Sequence, residues 1–243
     1  MKENKYDDDV FFKKYSEMNR SKEGLQGAGE WSELEKILPE FKDKRVLDLG
    51  CGYGWHCLYA AQHDAQSVLG IDISEKMLKQ AKEKNNAENI TYKQSAMEDL
   101  AFSQDSFDVV LSSLAFHYIK DFKSLVEQIS KWMAPNGNFV FSVEHPVFTS
   151  YGTQDWYYDE EGNILHFPVD NYYYEGKRDA VFLGEKVTKY HRTLTTYLNT
   201  LLENGFELEH IIEPQPPVDM LHIEGMRDEM RRPMMLLVSA KKK

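Results

Sequence analysis

An acid followed by three alternate glycines is the first group of residues in the chain whose types and spacing suggest chemistry. Asp48, Gly50, Gly52 and Gly54 form the pattern D-x-G-x-G-x-G, and Asp72 follows 22 positions after Gly50. Glycines at this spacing allow positive φ and let a ligand approach the main chain closely. An acid about 20 residues after such a turn is placed to accept hydrogen bonds from ribose hydroxyls. The pattern therefore indicates a site for an adenosine-containing cofactor.

The residues after the glycines decide between two cofactor classes. A dinucleotide fingerprint, G-x-G-x-x-G, needs a third glycine or an alanine where this chain has Trp55 or Cys57, depending on the glycine from which one counts. A pyrophosphate disfavours a carboxylate at the position of Asp48, whereas a ligand with an ammonium group favours one. A nicotinamide-dependent oxidoreductase is therefore the weaker alternative.

With Asp48, the glycine turn and Asp72 in this order, the chain resembles the class I S-adenosylmethionine-dependent methyltransferases of the small-molecule, type 11 kind. The resemblance implies S-adenosylmethionine as the cofactor. It also implies which residues bind that cofactor: Tyr15, Arg20, Asp48, Gly50, Gly52, Gly54, Asp72, Ile73, Met77, Ala96, Met97, Glu98, Ser112 and His117.

In the resembling family these residues have different partners on the cofactor. Arg20 is expected to pair with the methionine carboxylate, and the turn at Ala96 and Met97 to hold the adenine. The end of the fourth strand faces the transferred methyl group, and here it reads S-S-L-A rather than N-P-P-Y. That departure argues against an adenine amino group or a glutamine amide as the acceptor.

The elements that position these residues follow from the alternation of short apolar runs with helical periodicity. Strands are predicted at 45–49, 67–71, 89–93, 107–111, 138–143, 206–212 and 234–240, and helices at 54–63, 74–85, 121–133 and 193–202. Ser74 and Asp121 stand where helix N-caps belong.

This alternation predicts an α/β fold in one domain, 1–243. The resemblance implies the full architecture, which is a Rossmann-like, doubly wound, seven-stranded sheet that is mostly parallel, with helices on both faces and one antiparallel closing strand. Before the first strand, residues 1–40 are predicted to form two helices separated by Gly24–Gly29. The resemblance implies that this region lies over the cofactor as a lid.

An insertion at 146–190 carries 11 aromatic residues and is punctuated by glycines into short strands and turns. It follows the fifth strand, at the open edge of the sheet where ligands bind. We predict a substrate cap. Its aromatic residues are also typical of an interface, so a homodimer is a second expectation.

Histidines near the strand ends are the candidates for a general base. His145 ends the fifth strand, and His191 begins the helix that leaves the cap. Glu144 and His145 are two of the ligands that a metal needs, but no third ligand stands at suitable spacing, so no metal is predicted.

Composition limits the partners. The net charge of −11 repels phosphate backbones, so no nucleic-acid substrate is expected, and no apolar run is long enough to span a membrane. Cys51 and Cys57 lack the spacing of a zinc or redox site, which favours a reduced, cytoplasmic setting. The expected activity is methyl transfer to an oxygen or nitrogen atom of a small molecule. A cofactor-binding sensor or partner protein without transfer activity is the alternative.

Overall fold

A seven-stranded sheet forms the centre of the molecule. The computed structural model describes residues 4–243. The strands are β1 (Arg45–Leu49), β2 (Ser67–Asp72), β3 (Ile90–Gln94), β4 (Phe107–Ser113), β5 (Met133–Glu144), β6 (Tyr157–Tyr158), β7 (Ile164–His166), β8 (Gly176–Phe182), β9 (Glu185–His191), β10 (Phe206–Ile212) and β11 (Met235–Lys242).

The order of strands in the sheet is β10-β11-β5-β4-β1-β2-β3. β11 runs antiparallel to both β5 and β10, whereas β1 to β5 pair in parallel. The predicted sheet, with its single antiparallel closing strand, is therefore confirmed. Strand order reverses between β1 and β4, and in open α/β sheets ligands bind beside such a reversal, at the carboxyl ends of the strands.

Helices cover both faces. They are α1 (Asp9–Ser16), α2 (Asn19–Lys22), α3 (Trp31–Leu34), α4 (Trp55–Gln62), α5 (Glu75–Lys84), α6 (Phe122–Trp132), α7 (Pro146–Ser150), α8 (Leu194–Glu203) and α9 (Met226–Glu229). The Ser74 hydroxyl accepts a hydrogen bond from Met77 N–H and the Asp121 carboxylate accepts one from Ser124 N–H, as expected of N-caps. Among residues 4–243, no helix combines the length and the apolar character needed to cross a bilayer.

Alternate residues of each strand point to opposite faces and so feed two separate cores. Leu47 and Leu49 pack with α6 and α8 in one core, where Phe122 and Tyr197 are buried. Val46 packs in the other core with residues of α3, α4 and α5. Both faces of β1 are therefore buried, as expected for a central parallel strand, and Asp48 is the one carboxylate buried within it.

Two predictions about secondary structure are wrong, one about the elements before β1 and one about the start of β5. The region before β1 is not two helices but several short pieces, because Gly24 has a φ of +63° and the chain must turn there. β5 starts at Met133 rather than 138, with an irregular register at the Asn136 turn, where φ is +63°. Residues 1–3 of the predicted lid lie outside the described residues.

Candidate functional site

A cavity of about 1320 Å³ lies at the carboxyl ends of the parallel strands. Four groups of residues line it: the strand-end turns, the N-terminal region from Lys5 to Glu30, the β8–β9 hairpin, and the stretch 213–235, which we call the closing segment. The volume exceeds the roughly 300–1,000 Å³ of a pocket for one drug-sized ligand. The cavity therefore has space for a cofactor and a second molecule.

The glycine turn forms the floor of the cavity through its backbone. Gly50 N–H and Cys51 N–H both donate to the Ile71 carbonyl, at 2.8 and 2.9 Å, which joins the end of β1 to the end of β2. Gly50 has a φ of +76°, and a Cβ there would lie 2.5 Å from Ala115 Cβ. Glycine is required because the turn after β4 lies directly against this backbone. A Cβ on Gly52, in contrast, would meet nothing within 4 Å, so this part of the backbone is open to a ligand.

Asp72 lies at the end of β2, as the sequence predicts for the ribose acid. Its two oxygens accept hydrogen bonds of 2.8 Å from Gly52 N–H and Ser74 N–H. Burial raises the pKa of Asp72 to about 6, although these N–H donors oppose the shift. The carboxylate is thus held rigidly by two strand-end turns at the edge of the cavity.

The residues expected to surround the adenine also line the cavity. Ile73 and Met77 line it from the β2 turn, and Ala96, Met97 and Glu98 line it from the β3 turn. Met97 is buried, and its Cε lies 3.4 Å from the position that a Cβ on Gly50 would take. The apolar side chains of two neighbouring turns therefore form the kind of surface on which a base packs.

The N-terminal region brings Tyr15 and Arg20 to the cavity, as predicted. Arg20 forms an ion pair with Glu30, whose side chain is 2% exposed. Sequence reasoning did not select Glu30, because a lone acid in a glycine-rich stretch carries no periodic or motif signal.

Three buried polar atoms of residues that line the cavity have no hydrogen-bond partner among the described residues. They are Glu30 Oε2, Trp55 Nε1 and His56 Nε2, and all three residues line the cavity. Burial also lowers the pKa of His56 to about 4, so its ring is neutral. Buried polar groups are normally satisfied, and here these three share the cavity lining with the Arg20 guanidinium. This set fits the ammonium and carboxylate of an amino-acid group, as the methionine end of the expected cofactor requires.

Three residues predicted to bind the cofactor do not line the cavity. Asp48 is 1% exposed and accepts a hydrogen bond from the Cys57 thiol at 3.3 Å, beneath the turn. Ser112 is buried and donates to the Leu49 carbonyl. A Cβ on Gly54 would meet the Tyr92 hydroxyl at 2.2 Å, so this glycine gives space to Tyr92. The structure therefore places these three residues beneath or beside the glycine turn rather than in the cavity lining, in contrast to the expected direct contacts.

Both histidines predicted as bases are used structurally and are absent from the cavity lining. His145 Nδ1 accepts from Val147 N–H as the N-cap of α7, and its Nε2 lies 2.8 Å from a Glu213 oxygen. His191 donates from Nε2 to the Tyr172 carbonyl, and its Nδ1 lies 2.7 Å from the Thr149 hydroxyl. Because neither histidine lines the cavity, the geometry does not support the general-base assignment.

His117, in the turn after β4, is the histidine near the strand ends that does line the cavity. It is 2% exposed, and burial lowers its pKa to about 4, which leaves the ring neutral at pH 7. Its Nδ1 accepts from Glu144 N–H at 3.4 Å, so the ring proton is on Nε2.

Glu144, at the end of β5, belongs to a buried polar network. This is the end of the cavity where the sequence predicts that the methyl acceptor enters, and we call it the acceptor end. Its carboxylate pairs with Lys189, which is 2% exposed, and accepts from Gln154 Nε2 at 2.6 Å. Lys189 also donates to Gln154 Oε1 at 2.8 Å. Burial opposes ionisation of Glu144, but attraction from His117, in the acid range where that ring is protonated, and from Lys189 outweighs it and holds the pKa of Glu144 below its usual range. The network joins β5, β9 and the predicted cap without leaving an unbalanced charge.

Tyr6 and Tyr118 meet across the cavity, where their hydroxyl oxygens lie 3.1 Å apart. Asp7, next in the chain, accepts hydrogen bonds from the Ser74 hydroxyl at 2.6 Å and from Lys76 N–H at 3.1 Å. Lys14 donates to the Leu183 carbonyl of the β8–β9 hairpin at 2.9 Å. The N-terminal region thus spans the cavity and contacts the turns on both sides of it.

Comparison with known proteins agrees with this geometry. Residues 47–141 match the family model of a methyltransferase domain. A structure from Listeria monocytogenes, assigned to the S-adenosylmethionine-dependent methyltransferases, is 56% identical with a TM-score of 0.86, and the match covers 90% of this chain and 99% of that one. An S-adenosylmethionine-dependent methyltransferase from Mesorhizobium loti is 42% identical with a TM-score of 0.82, over 90% of this chain and 100% of that one. An uncharacterised protein of Haemophilus influenzae is 33% identical, over 98% of this chain and 96% of its own length.

Proposed function

Because the chain belongs to the class I S-adenosylmethionine-dependent methyltransferases, with S-adenosylmethionine as its methyl donor, we propose that its acceptor is an oxygen or nitrogen atom of a small molecule. The observation that carries this proposal is that one continuous cavity of about 1320 Å³ extends from the glycine turn to the β8–β9 hairpin and the closing segment. Family membership also decides against the nicotinamide-dependent oxidoreductase.

Two further observations support this acceptor class. The net charge of −11 disfavours a polyanionic acceptor such as nucleic acid. Transfer to a ring carbon through a covalent adduct needs a nucleophile such as a thiol. The two cysteines of the chain, Cys51 and Cys57, are both buried at the glycine turn rather than at the acceptor end.

The residues that we propose to hold the cofactor are those brought to the cavity. Arg20 and Glu30 would pair with the carboxylate and ammonium of the methionine end, with Tyr15 beside them. Asp72 would accept from the ribose hydroxyls, and the turn around Met97 would hold the adenine. Asp48, Gly54 and Ser112 would act on this site only by shaping the glycine turn.

The protein's part in the reaction is orientation and exclusion of water. S-adenosylmethionine, when bound, supplies a methyl group on an activated sulfonium leaving group. Alignment of an acceptor atom with that group can lower the barrier by several kcal/mol, with roughly 7–11 kcal/mol as the upper range for ideal intramolecular cases. His117, with its proton on Nε2, is suited to donate a hydrogen bond to the acceptor and so to orient it.

Two regions of the chain would close the cavity over its contents. We propose that residues 4–40 form the lid and that residues 146–190 form the substrate cap, because both regions contribute lining side chains.

We also keep a cytoplasmic location and a homodimer as proposals. Both cysteines are free thiols, which supports the first, and Tyr173 and Tyr174 of the cap are 87% and 75% exposed, which supports the second.

The test has two stages. Calorimetric titration with S-adenosylhomocysteine should give a 1:1 complex, which Asp72→Ala weakens by about tenfold or more because a charged hydrogen-bond acceptor is lost. A panel of small phenols, amines, thiols and carboxylic acids is then incubated with protein and S-adenosylmethionine, and products heavier by one methyl group are sought by mass spectrometry. A tight complex without transfer to any oxygen or nitrogen acceptor in a broad panel would count against the proposal.

A further inference from the structure

The acceptor end of the cavity has an unusual wall. Met220, Met226, Met234 and Met235 all belong to the closing segment, and all four line the cavity. They are four of the ten methionines in the chain, so their clustering in one wall is a distinct feature of this site. Methionine is unbranched and polarisable, which lets it adapt to irregular apolar surfaces and make favourable sulfur–aromatic contacts.

A second wall of the cavity is formed by the β8–β9 hairpin. Phe182, Val187 and Tyr190 line the cavity from this hairpin. The Phe182 ring is itself positioned, because it packs 5.8 Å from the Phe11 ring and the Lys189 ammonium lies 5.3 Å from its centroid. Rings of this kind favour offset or edge-on packing with another ring between or beside them.

The charged side chains near these walls are mostly neutralised by the protein. Glu144 pairs with Lys189, Glu229 pairs with Arg232 at 2.6 Å, and Lys177 pairs with Asp179 at 3.0 Å. Lys120 and Glu224 also belong to the lining, but both are solvent-exposed. A charged group entering between the walls would lose its hydration without meeting an uncompensated buried partner, which is unfavourable.

We propose that the methyl acceptor is an uncharged, largely apolar molecule that carries an aromatic ring and binds between the methionine wall of the closing segment and the β8–β9 hairpin. This inference rests on the proposed function, since it names the class of molecule that the acceptor end takes. Glu144 and His117, at the strand ends between the two walls, provide the polar edge toward which the acceptor atom would point.

Two fluorescent probes with the same aromatic framework test the inference in the full chain saturated with S-adenosylhomocysteine. N-phenyl-1-naphthylamine is uncharged, and 8-anilino-1-naphthalenesulfonate adds a sulfonate. We expect the uncharged probe to bind at least about tenfold more tightly, because the sulfonate must be desolvated without a partner. Equal or tighter binding of the sulfonate, or no binding of the uncharged probe, overturns the inference.

Glutamine variants locate the binding. Met226→Gln and Met220→Gln keep the side-chain length but place an amide in the wall, and each should weaken the uncharged probe by about fivefold or more. Met230→Gln is the matched control, because Met230 lies in the same segment but is 48% exposed and outside the lining. Thermal melting of each variant shows whether it is folded, and Met220→Gln serves if Met226→Gln is not. A uniform effect on all three variants, or none on any, contradicts the assignment.

The two proposals fail separately. If S-adenosylhomocysteine binds but the uncharged probe does not, the acceptor class is wrong and the proposed function stands. If S-adenosylhomocysteine does not bind, the proposed function fails at its first stage, and the probe titration on the protein alone still shows whether the two walls hold an aromatic molecule.

Discussion

The two halves of the cavity are built in different ways. The turns after β1, β2 and β3 form the half in which we propose that the cofactor binds, called here the cofactor half. Backbone N–H groups fix these turns, as in the hydrogen bonds from Gly50 N–H to the Ile71 carbonyl and from Gly52 N–H to the Asp72 carboxylate. In the acceptor half, formed by the β8–β9 hairpin and the closing segment, long charged side chains hold the elements in place. Arg178, for example, donates to the carbonyls of Ser150, Asn171 and Tyr174.

This difference has a functional consequence. A site made of backbone is fixed by the register of the sheet, and almost any side chain added at its turns disturbs it. A site made of side chains on one short hairpin and a segment outside the sheet can be reshaped by single substitutions. We therefore expect the first half to be intolerant and specific for one cofactor, and the second half to set the acceptor.

The largest effect is expected at the glycine turn. Gly50→Ala must keep a φ of +76° and places a methyl group 2.5 Å from Ala115 Cβ, so the turn has to move. Affinity for S-adenosylhomocysteine should fall by about 100-fold or more because the backbone contacts are lost together. Gly205→Ala is the control, since Gly205 has a φ of +82° but a Cβ there meets nothing within 4 Å. Calorimetry should show unchanged affinity for the control, and equal losses in both variants would refute the role of the close approach.

Asp48→Asn should affect stability rather than cofactor binding. Burial raises the folded-state pKa of Asp48 from its usual 3.8 to about 7. The folded protein therefore holds this proton more tightly than the unfolded chain, and its stability falls as pH rises from about 4 through 7. Removing the ionisable group should relieve up to about 4 kcal/mol of that loss above pH 7.

Calorimetric melting of both proteins from pH 5 to pH 9 measures this effect. Wild-type protein should lose stability relative to Asp48→Asn as the pH rises, while affinity for S-adenosylhomocysteine stays within about threefold. A large loss of affinity in Asp48→Asn would restore the direct cofactor contact that the sequence predicts.

Arg20→Gln tests the amino-acid end of the site. The substitution removes the guanidinium that would pair with the carboxylate and leaves the buried Glu30 carboxylate unbalanced. Affinity for S-adenosylhomocysteine should fall by roughly 10- to 100-fold, as expected for a charged hydrogen bond. Lys22→Gln in the same helix α2 is exposed and should bind like wild type. An Arg20→Gln variant that binds as tightly as this control would place the carboxylate elsewhere.

Arg232→Ala should affect the acceptor half of the cavity and leave the cofactor half unchanged. The Arg232 guanidinium lies 4.4 to 5.0 Å from the ring centroids of Phe148, Trp156 and Phe167, and so connects the closing segment to the predicted cap. Its loss should cost about 1–2 kcal/mol of stability and accelerate hydrogen exchange in both segments. Affinity for S-adenosylhomocysteine should stay within about twofold, because the cofactor half does not depend on this contact. Arg227→Ala, exposed in helix α9, should change neither quantity.

The smallest effect is expected at His145, which acts as a helix cap in the structure. Asparagine can replace the accepting nitrogen of His145 at the N-terminus of α7, whereas alanine cannot. His145→Ala should lose about 1 kcal/mol of stability in chemical denaturation and His145→Asn less. Once an acceptor is known, a drop in turnover of His145→Asn by more than about 100-fold would show that His145 is a base after all.

The amino-acid sequence by itself determined the sheet and the cofactor half. Hydrophobic periodicity, helix caps and turn residues act within a few positions of the chain, so the strands, the glycine turn and the position of Asp72 at the end of β2 were all readable. The antiparallel direction of the closing strand was not readable in this way, because periodicity does not give strand direction, and it was expected only from the family resemblance.

The tertiary structure alone decided where side chains at strand ends point. Three histidines follow predicted strand ends or the predicted cap in the sequence: His117, His145 and His191. Packing places only His117 in the cavity lining and uses the other two in hydrogen bonds within the protein. The same is true of Glu30, which meets Arg20 only after the chain folds back on itself, and of the methionine wall, whose residues share no motif. Such placements depend on contacts between distant segments, and no local pattern in the sequence records them.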